Sequence, residues 1–473
     1  MKTFTKNIER NLSADVLVVG GGVGGCAAAI AAARNGVRVI LSEETGCLGG
    51  QAGFGLVTPV GSIYTMNGKS FGGLVEEIWQ NVKEETAKYC VFNPQHEDSF
   101  IASPHIVKYV LLKLATEAGV DVRFHTTLID AISENGKVTE AIFADRNGFL
   151  AVNAKMFIDG TGDGNLIVLS GAEFVIGSEA DAYDSLKDTG LDKVHCQEGT
   201  YEGAKEKALQ PVSIFFTMGN VDMEKAMSYN NKALKYEDLG ITKEEFKNWK
   251  FAGTCGFEDN GDLIPMPQGR ILVSYSPVEG VAVLNMSRVV GIDGSEADSL
   301  NEGEIKAQLQ LVAIVDFLKT FVPGFENSYY IQSACSLGIR ETRRLVGMET
   351  LNGGDVIRAK QIENPIARGS YIIDIHDPKG KSMAIGGAIK GDFYDIPYGT
   401  IVSANRTNLF ACGRCISADH VAHSSTRIQG TCVMTGQAAG TAAAMCVKEG
   451  IFPKDVDAQK LKEMLIKDGV YLD

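Results

Sequence analysis

The stretch from Asp15 to Glu43 constrains the fold of this chain more than any other part of the sequence. An apolar run of strand length, Val16 to Val19, leads into GGGVGG at positions 20–25, then into an alanine-rich segment of helical length and a second β-branched run. Strand, glycine turn, helix and strand in this order predict a βαβ unit. This order is typical of a dinucleotide-binding fold, and the alternative is a glycine-rich turn in an ordinary α/β unit.

The glycines of this unit have separate physical roles. Gly20 permits the tight turn, Gly22 lets the backbone approach a pyrophosphate, and Gly25 lets the helix pack close to the strand. The phosphate is expected at the helix N-terminus, near Gly24, where unpaired N–H groups face it. Glu43 ends the second strand, where its carboxylate can accept hydrogen bonds from ribose hydroxyls and disfavours a 2′-phosphate. The unit therefore predicts a site for FAD or NAD.

Other strands also run into glycine-rich loops. One such loop, at 45–53, follows the second strand of the βαβ unit, another follows the predicted strand Met156 to Asp159, and a third follows Asn408 to Ala411. Several such ends on one sheet bring bare backbone towards a cofactor. The further residues predicted to contact the cofactor are Gly49, Gly50, Gln51, Leu128, Gly162, Asp163, Gly413, Arg414, Cys415, Gly430 and Thr431.

The C-terminal portion combines a polar loop and an unusual helix. Residues 416–430 read as a polar loop that includes His420, His423 and Arg427. From Gly430 to Cys446 the chain is rich in alanine and glycine, which predicts a helix that packs very close to a flat surface or to another helix. The N-terminus of this helix is expected to stabilise an anion, such as the charge on a reduced flavin.

Two clusters of polar residues are candidates for substrate chemistry. Three arginines fall within five positions at 340–344, and they form either an exposed helix face or an anion site in which Arg340 and Arg344 bind a carboxylate or carbonyl oxygen. Asp374 and His376 lie on one side of a predicted strand because side chains alternate. They are either an acid/base pair or a structural histidine with its partner.

Composition bounds the function classes. The 473 residues, with 45% hydrophobic and 22% charged residues, indicate a globular protein of about two or three domains. The net charge of −14 argues against nucleic acid and an anionic membrane surface as partners. No signal-peptide core and no apolar run of about 20 residues is present, which predicts a cytoplasmic protein.

The ten cysteines are scattered along the chain and are expected to be free thiols. Cys412 and Cys415 form the one close pair, and a redox dithiol is the alternative interpretation of that pair.

Taken together, these motifs resemble those of the FAD-dependent oxidoreductases within the glutathione-reductase-like flavoprotein superfamily. The resemblance covers nearly the whole chain, which is also similar to the flavin domain of heterodisulfide reductases. The segments that carry the resemblance are GGGVGG with Glu43, CLGG, DGTGDG, LGIRETRRLVG, YIIDIHDP and the stretch from LFACGRC at 409–415 through the alanine-rich helix.

The resemblance implies an α/β fold, a Rossmann-like FAD-binding domain with an inserted α+β cap. The implied division is 1–172 for the first part of the FAD domain, 173–395 for the cap, 396–450 for the last part, and 451–473 for a C-terminal helix and tail. The flavin is expected against the C-terminal loop and the helix from Gly430. Many relatives have Gly-Asp where this chain has Gly413-Arg414, which leaves the ribityl contact open. Cys415 is then a family residue near the flavin, and Cys412 is incidental.

The implied activity is hydride transfer between the flavin and a small organic substrate held between cap and FAD domain. The candidate catalytic residues are Arg340, Arg344, His376, His420 and Arg427. One alternative is a flavin-containing electron-transfer subunit with an iron-sulfur redox partner, although the sequence has no run of four closely spaced cysteines. Another is a protein that holds the cofactor without turnover. No metal, nucleic acid or membrane partner is expected.

Overall fold

The structure, a computed structural model, describes residues 5–90, 102–179, 185–186, 188–189, 208–246, 261–378 and 383–473. Its helices in these ranges are α1 (Val23–Arg34), α2 (Gly73–Tyr89), α3 (Pro104–Glu117), α4 (Asn165–Leu169), α5 (Met223–Met227), α6 (Lys243–Phe246), α7 (Ala297–Phe321), α8 (Gly353–Ile357), α9 (His420–Thr426), α10 (Gln429–Glu449) and α11 (Ala458–Lys467). Its strands are β1 (Arg10–Val19), β2 (Val39–Ser42), β3 (Asp121–Arg123), β4 (Thr127–Glu134), β5 (Lys137–Asp145), β6 (Gly148–Asp159), β7 (Phe174–Ile176), β8 (Phe216–Gly219), β9 (Val273–Tyr275), β10 (Ala282–Leu284), β11 (Tyr329–Ser333), β12 (Arg343–Leu345), β13 (Pro365–Gly369), β14 (Ile373–His376), β15 (Met383–Gly387), β16 (Tyr394–Pro397) and β17 (Leu409–Ala411). Within the described ranges, no helix is both long and apolar enough to cross a lipid bilayer.

The largest sheet has the strand order β3-β2-β1-β6-β5-β4, with β17 paired to the second half of β6. The strands β1, β2, β3, β6 and β17 are parallel, whereas β4 and β5 join the first half of β6 as an antiparallel meander. Val19 lies opposite both Ser42 and Asp159, and Ala411 also lies opposite Asp159. The carboxyl ends of these parallel strands therefore meet at one edge, and the predicted α/β fold with its βαβ unit is confirmed.

The glycine-rich helix α10 packs directly against α1. A Cβ atom added to Gly436 would lie 2.1 Å from the carbonyl oxygen of Gly24, and one added to Gly440 would lie 2.1 Å from that of Ala28. Every residue from Gly430 to Cys446 is buried. The sequence predicted close packing of this helix, and its partner is the helix that follows the first glycine loop.

A second core forms around the antiparallel sheet β11-β8-β10-β9 and the long helix α7. Its buried apolar residues run from Val212 to Leu337, together with Leu56. Buried residues between Leu351 and Ile396 belong instead to the core around β1 and α1. Apart from Leu56, the second core thus lies inside the predicted 173–395 insert, and the boundaries of that insert stay a prediction.

Two local expectations are wrong. Part of the predicted polar loop at 416–430 is the helix α9, because Asp419 caps it by accepting a hydrogen bond from the Ala422 N–H at 2.7 Å. The arginine-rich segment is not an exposed helix face: it contains the strand β12, which pairs with β7, and Arg344 is fully buried. The charge of Arg344 is paired inside the protein, with Glu179.

We expect Gly440→Ala to lower the thermal unfolding midpoint by several degrees. Alanine stabilises an isolated helix by about 1 kcal/mol relative to glycine. Here its methyl group would overlap the Ala28 carbonyl, and overpacking against rigid backbone costs about 1–3 kcal/mol or more. Thermal unfolding of the FAD-loaded protein measures the change.

Gly303→Ala in α7 is the matched control. The nearest atoms to its added Cβ are side-chain atoms of Leu337 and Ile292, at 2.9 and 3.0 Å, which can rotate away. We expect a much smaller change there, and a Gly440→Ala protein at least as stable as the wild type would contradict the packing argument.

Candidate active site

The edge where the parallel strands end opens onto a cleft of about 770 Å³. Residues of both cores line it, among them Val23 and Cys432 of the first core and Phe215 and Leu337 of the second. The sequence-predicted residues that line it are Gly20, Gly22, Gly24, Glu43, Gly49, Gly50, Gln51, Leu128, Gly162, Asp163, Arg340, His376, Gly413, Arg414 and Arg427. The structure therefore brings most of the predicted site residues together in one cavity. The individual roles of these residues stay predictions.

The glycines of the first loop differ in what surrounds them. Gly20 has φ +97°, and a Cβ there would lie 2.6 Å from the backbone of Gly160. A Cβ on Gly25 would lie 1.9 Å from the Gly20 carbonyl oxygen, so this glycine serves helix-strand packing and does not line the cleft. The Cβ position of Gly22 has only the Gly160 oxygen near it, at 3.8 Å. Gly22 thus offers its bare backbone to the open cleft.

Glu43 is buried beside the first glycine loop, and backbone N–H groups donate hydrogen bonds to both of its carboxylate oxygens. Oε2 accepts a hydrogen bond from the Gly21 N–H at 2.7 Å, and Oε1 accepts one from the Thr45 N–H at 2.8 Å. Each carboxylate oxygen has a second lone pair, so Glu43 retains the capacity to accept a hydroxyl hydrogen bond. Its orientation is fixed before any ligand binds.

Asp163 and Arg414 form an ion pair across the cleft wall. Arg414 Nη2 lies 2.6 Å from Asp163 Oδ1, and the Thr342 hydroxyl donates to the same oxygen at 2.8 Å. Both charged residues line the cavity. Arg414 follows Gly413, and its carboxylate partner Asp163 comes from the loop after β6.

The two close cysteines are buried free thiols. Burial, followed by the charge of Asp159, raises the pKa of both Cys412 and Cys415 well above the usual value. Reactive redox cysteines need the opposite, a lowered pKa, so the dithiol interpretation gains no support. Cys412 lines the cleft, whereas the Cys415 sulfur lies 3.4 Å from the Cys412 carbonyl oxygen and outside the cavity lining. The expectation that Cys415 lies near the flavin stays a prediction, although Cys412 is the one of the two that lines the cleft.

The lining of the cleft also includes Asp374, His376 and Arg427. The distance from His376 Nε2 to Asp374 Oδ1 is 3.4 Å, and from Arg427 Nη2 to Asp374 Oδ2 it is 3.2 Å. All three line the cavity. Asp374 and His376 lie on one side of β14, as strand alternation predicted.

These groups set one another's protonation. Burial, and then the charge of Arg340, lower the pKa of His376 to about 3, so the imidazole is neutral at pH 7. Burial would raise the pKa of Asp374, but His376, Arg427 and Arg340 outweigh it and hold that pKa below its usual range. Burial, with Arg427 and Arg288, lowers the pKa of Arg340 to about 9, and Arg340 stays protonated at neutral pH.

Residues 210–211 tie Arg340 and His376 together. Arg340 donates a short hydrogen bond to the Pro211 carbonyl, and the His376 N–H donates to Gln210 Oε1 at 3.0 Å. The Gln210 N–H in turn donates to Glu341 Oε1 at 2.7 Å. Sequence reasoning missed Gln210, for which no local pattern exists, and also Glu341, although it lies inside the LGIRETRRLVG segment.

Arg344 and His420 do not line the cleft. Arg344 pairs with Glu179 and donates to the Gly177 and Ala418 carbonyls, at 2.8 Å and 2.9 Å. His420 Nδ1 lies 2.9 Å from Glu341 Oε2. Both belong to a buried polar cluster behind the wall, so we do not place them among the substrate-binding groups. His423 is also fully buried, with Nε2 3.1 Å from the Arg414 carbonyl oxygen.

Gly430 and Thr431 do not line the cleft either; both pack against Ser62. A Cβ on Gly430 would lie 2.0 Å from the Ser62 carbonyl oxygen, and the Thr431 hydroxyl lies 3.0 Å from that of Ser62. The N-terminus of α10 nevertheless reaches the cavity through Ile428, Gln429 and Cys432. The predicted helix end is therefore at the site, but different residues line it.

A sequence model described as FAD dependent oxidoreductase matches residues 15–465, nearly the whole chain. The chain belongs to the FAD-dependent oxidoreductase family. It is thus a flavin-dependent enzyme, and FAD is its cofactor.

More distant similarities extend beyond this family. The thiamine thiazole synthase of Thermotoga maritima is 28% identical over 172 residues, which cover 34% of this chain and 62% of that protein, less than two thirds of its length. Among solved structures, p-nitrophenol 4-monooxygenase PnpA from Pseudomonas putida aligns at 11% identity and a TM-score of 0.44, covering 96% of this chain and 84% of that one. A geranylgeranyl bacteriochlorophyll reductase-like protein from Thermoplasma acidophilum aligns at 15% identity and a TM-score of 0.43. The alignment covers 97% of this chain and 84% of that one. No substrate follows from these similarities.

The glycine-lined part of the cleft suits FAD. Gly22, Val23 and Gly24 place the start of α1 on the wall, where the N–H groups of a first helical turn lack intrahelical partners and favour a phosphate. The open space beyond Gly22 and the fixed carboxylate of Glu43 lie along the same wall. These residues of the FAD-dependent oxidoreductase would hold the dinucleotide.

We expect Gly22→Ala to weaken FAD binding at least tenfold, about 1.4 kcal/mol, without damage to the fold. Gly22 has φ −64° and ψ 173°, which alanine adopts freely, and its added methyl group would point into the cleft. Quenching of flavin fluorescence on titration of the apoprotein measures the affinity. Gly303→Ala, outside the cleft, should bind FAD normally, and unchanged affinity in Gly22→Ala would show that the cofactor does not approach this glycine.

We expect His376 to remain neutral between pH 5 and 8 and to gain basicity in Arg340→Gln. Removal of the Arg340 charge favours the imidazolium form, so the pKa of His376 rises from about 3 towards its ordinary value. The imidazole Cε1–H resonance, identified by its loss in His376→Asn, reports the titration by NMR. A wild-type midpoint near the ordinary histidine value would contradict this picture of the site.

Proposed function

We propose that this FAD-dependent oxidoreductase exchanges a hydride between FAD and a small organic substrate at the end of the cleft formed by Arg340, His376 and Arg427. The observation that supports it is the position of His376, which lies 3.4 Å from Asp374 and shares one cavity with the glycine loops of the cofactor site. FAD, when bound, supplies the hydride acceptor or donor. The chain supplies position, charge and a group that exchanges a proton.

His376 is the proton-exchanging group of this proposal. Oxidation of an alcohol or amine carbon removes a hydride and a proton, and a neutral imidazole can accept that proton. Asp374 stays ionised beside it, at 3.4 Å, and stabilises the imidazolium that forms. In the reverse direction the imidazolium returns the proton to the substrate.

Residues of the second core, such as Phe215 and Leu337, line the cavity together with the glycine loops. In this proposal they belong to the 173–395 insert. Such an insert covers the substrate and excludes water from the reacting atoms. Electron transfer to an iron-sulfur partner is the second function that the sequence suggested. We favour an organic substrate because Arg340, His376 and Arg427 face a cavity.

Anaerobic bleaching of the bound flavin tests the proposal. Small organic acids, sugars and steroids are screened for reduction of the FAD-loaded enzyme, and His376→Asn is expected to slow bleaching by the active compound about a hundredfold or more. His105→Asn is the control, since His105 is exposed on α3 and outside the cleft. If His376→Asn and Arg340→Gln both bleach at the wild-type rate, these residues do not serve the reaction.

A further inference from the structure

We propose that the substrate is an organic carboxylate whose anion lies between Arg340 and Arg427. The inference deepens the proposed function and rests on it for the location of the substrate. It is carried by one buried and one partly buried guanidinium group in the lining of the cleft, and by their shortage of anionic partners.

Arg340 is the first of these groups. Its residue is 8% exposed and lines the cleft, and its hydrogen-bond partner is the neutral Pro211 carbonyl. Among the described residues, no carboxylate forms an ion pair with Arg340. A guanidinium group has five N–H donors, so several remain for a ligand.

Arg427 is the second group, and it is only partly satisfied. Its Nη2 donates to the Asp374 carbonyl oxygen at 3.1 Å and lies 3.2 Å from Asp374 Oδ2. Its Nε is buried and has no hydrogen-bond partner in the described part of the chain. An unmet buried donor on a charged group is destabilising, so an acceptor arriving from the cleft is favoured.

The local charge balance selects an anion. Arg340, Arg427 and Arg288 are positive here, and Asp374 is the carboxylate that acts on Arg340, so the local balance is positive. Glu304 also lines the cavity, but its carboxylate accepts from the Leu337 N–H at 2.9 Å. The charges that act on Arg340 are those of Arg427, Arg288 and Asp374.

A carboxylate suits this site better than a neutral amide or a cation. It offers one negative charge and two planar acceptor oxygens, which match guanidinium forks and form stronger hydrogen bonds than a neutral carbonyl. An ammonium group would meet a net positive end, where Asp374 is already bonded to Arg427 and His376.

Matched acids and amides test the inference on the FAD-loaded enzyme. Acetate and acetamide, succinate and succinamide, and benzoate and benzamide are titrated at constant ionic strength, and the change in the flavin absorption spectrum reports binding. We expect at least one acid to bind ten times or more tightly than its amide. Sodium sulfate, titrated alone, separates a carboxylate site from a general anion site.

Arg340→Gln and Arg427→Gln should each reduce the preference for the acid to within about threefold, while binding of the amide changes little. Arg340→Lys keeps the charge but loses the fork, and we expect it to retain only part of the preference, which covers the case in which Arg340→Gln does not load FAD. Arg146→Gln is the control: Arg146 is exposed in the turn between β5 and β6, and its loss changes the net charge equally.

Three results overturn the inference: no acid binds more tightly than its amide, including the case in which none binds; the preference survives in both glutamine variants; or sulfate binds as tightly as the best acid. Bleaching of the flavin by a neutral substrate, together with any of these results, would leave the proposed hydride exchange standing and remove only the carboxylate.

Discussion

Direct backbone contact between the first glycine loop and its neighbours is the constraint on which the rest of the structure depends. Gly25 touches the Gly20 carbonyl, and two glycines of α10 touch the backbone of α1 at Gly24 and Ala28. No side chain fits at these contacts, so α1 has a single position between the sheet edge and α10. The N-terminus of α1 is thereby held at the point where the strand ends meet, which is where the cleft forms.

The short segment 340–344 serves two environments. Arg340 lines the cleft, while Glu341 receives His420 at 2.9 Å and the Gln210 N–H at 2.7 Å on the buried side. Burial acts to raise the pKa of Glu341, but His420, His423 and Arg344 outweigh it and keep the group ionised. The buried cluster thus anchors the segment from behind, and the position of Arg340 in front depends on it.

The parts of the site that sequence predicts are those that depend on local geometry. Turn chemistry predicts the glycine loops after the strands, and chain periodicity predicts Glu43 at the end of β2 and Asp374 and His376 on one side of β14. The structure places these residues as expected. Gln210 had no such signal, because its two contacts, with His376 and Glu341, join segments more than 100 residues apart. Arg344 looked like Arg340 in the sequence, and only tertiary contacts with Glu179 and two carbonyls separate the buried structural arginine from the one in the cleft.

The positive end of the cleft links substrate binding to proton transfer. The charge of Arg340 is the main effect, after burial, that keeps the pKa of His376 low. An anion held between Arg340 and Arg427 offsets that charge, and the protonated form of the imidazole becomes less costly. His376 is therefore a weak base in the empty cleft and a stronger one with a carboxylate bound. In the proposed reaction, the enzyme gains its proton acceptor when the substrate that needs it is in place.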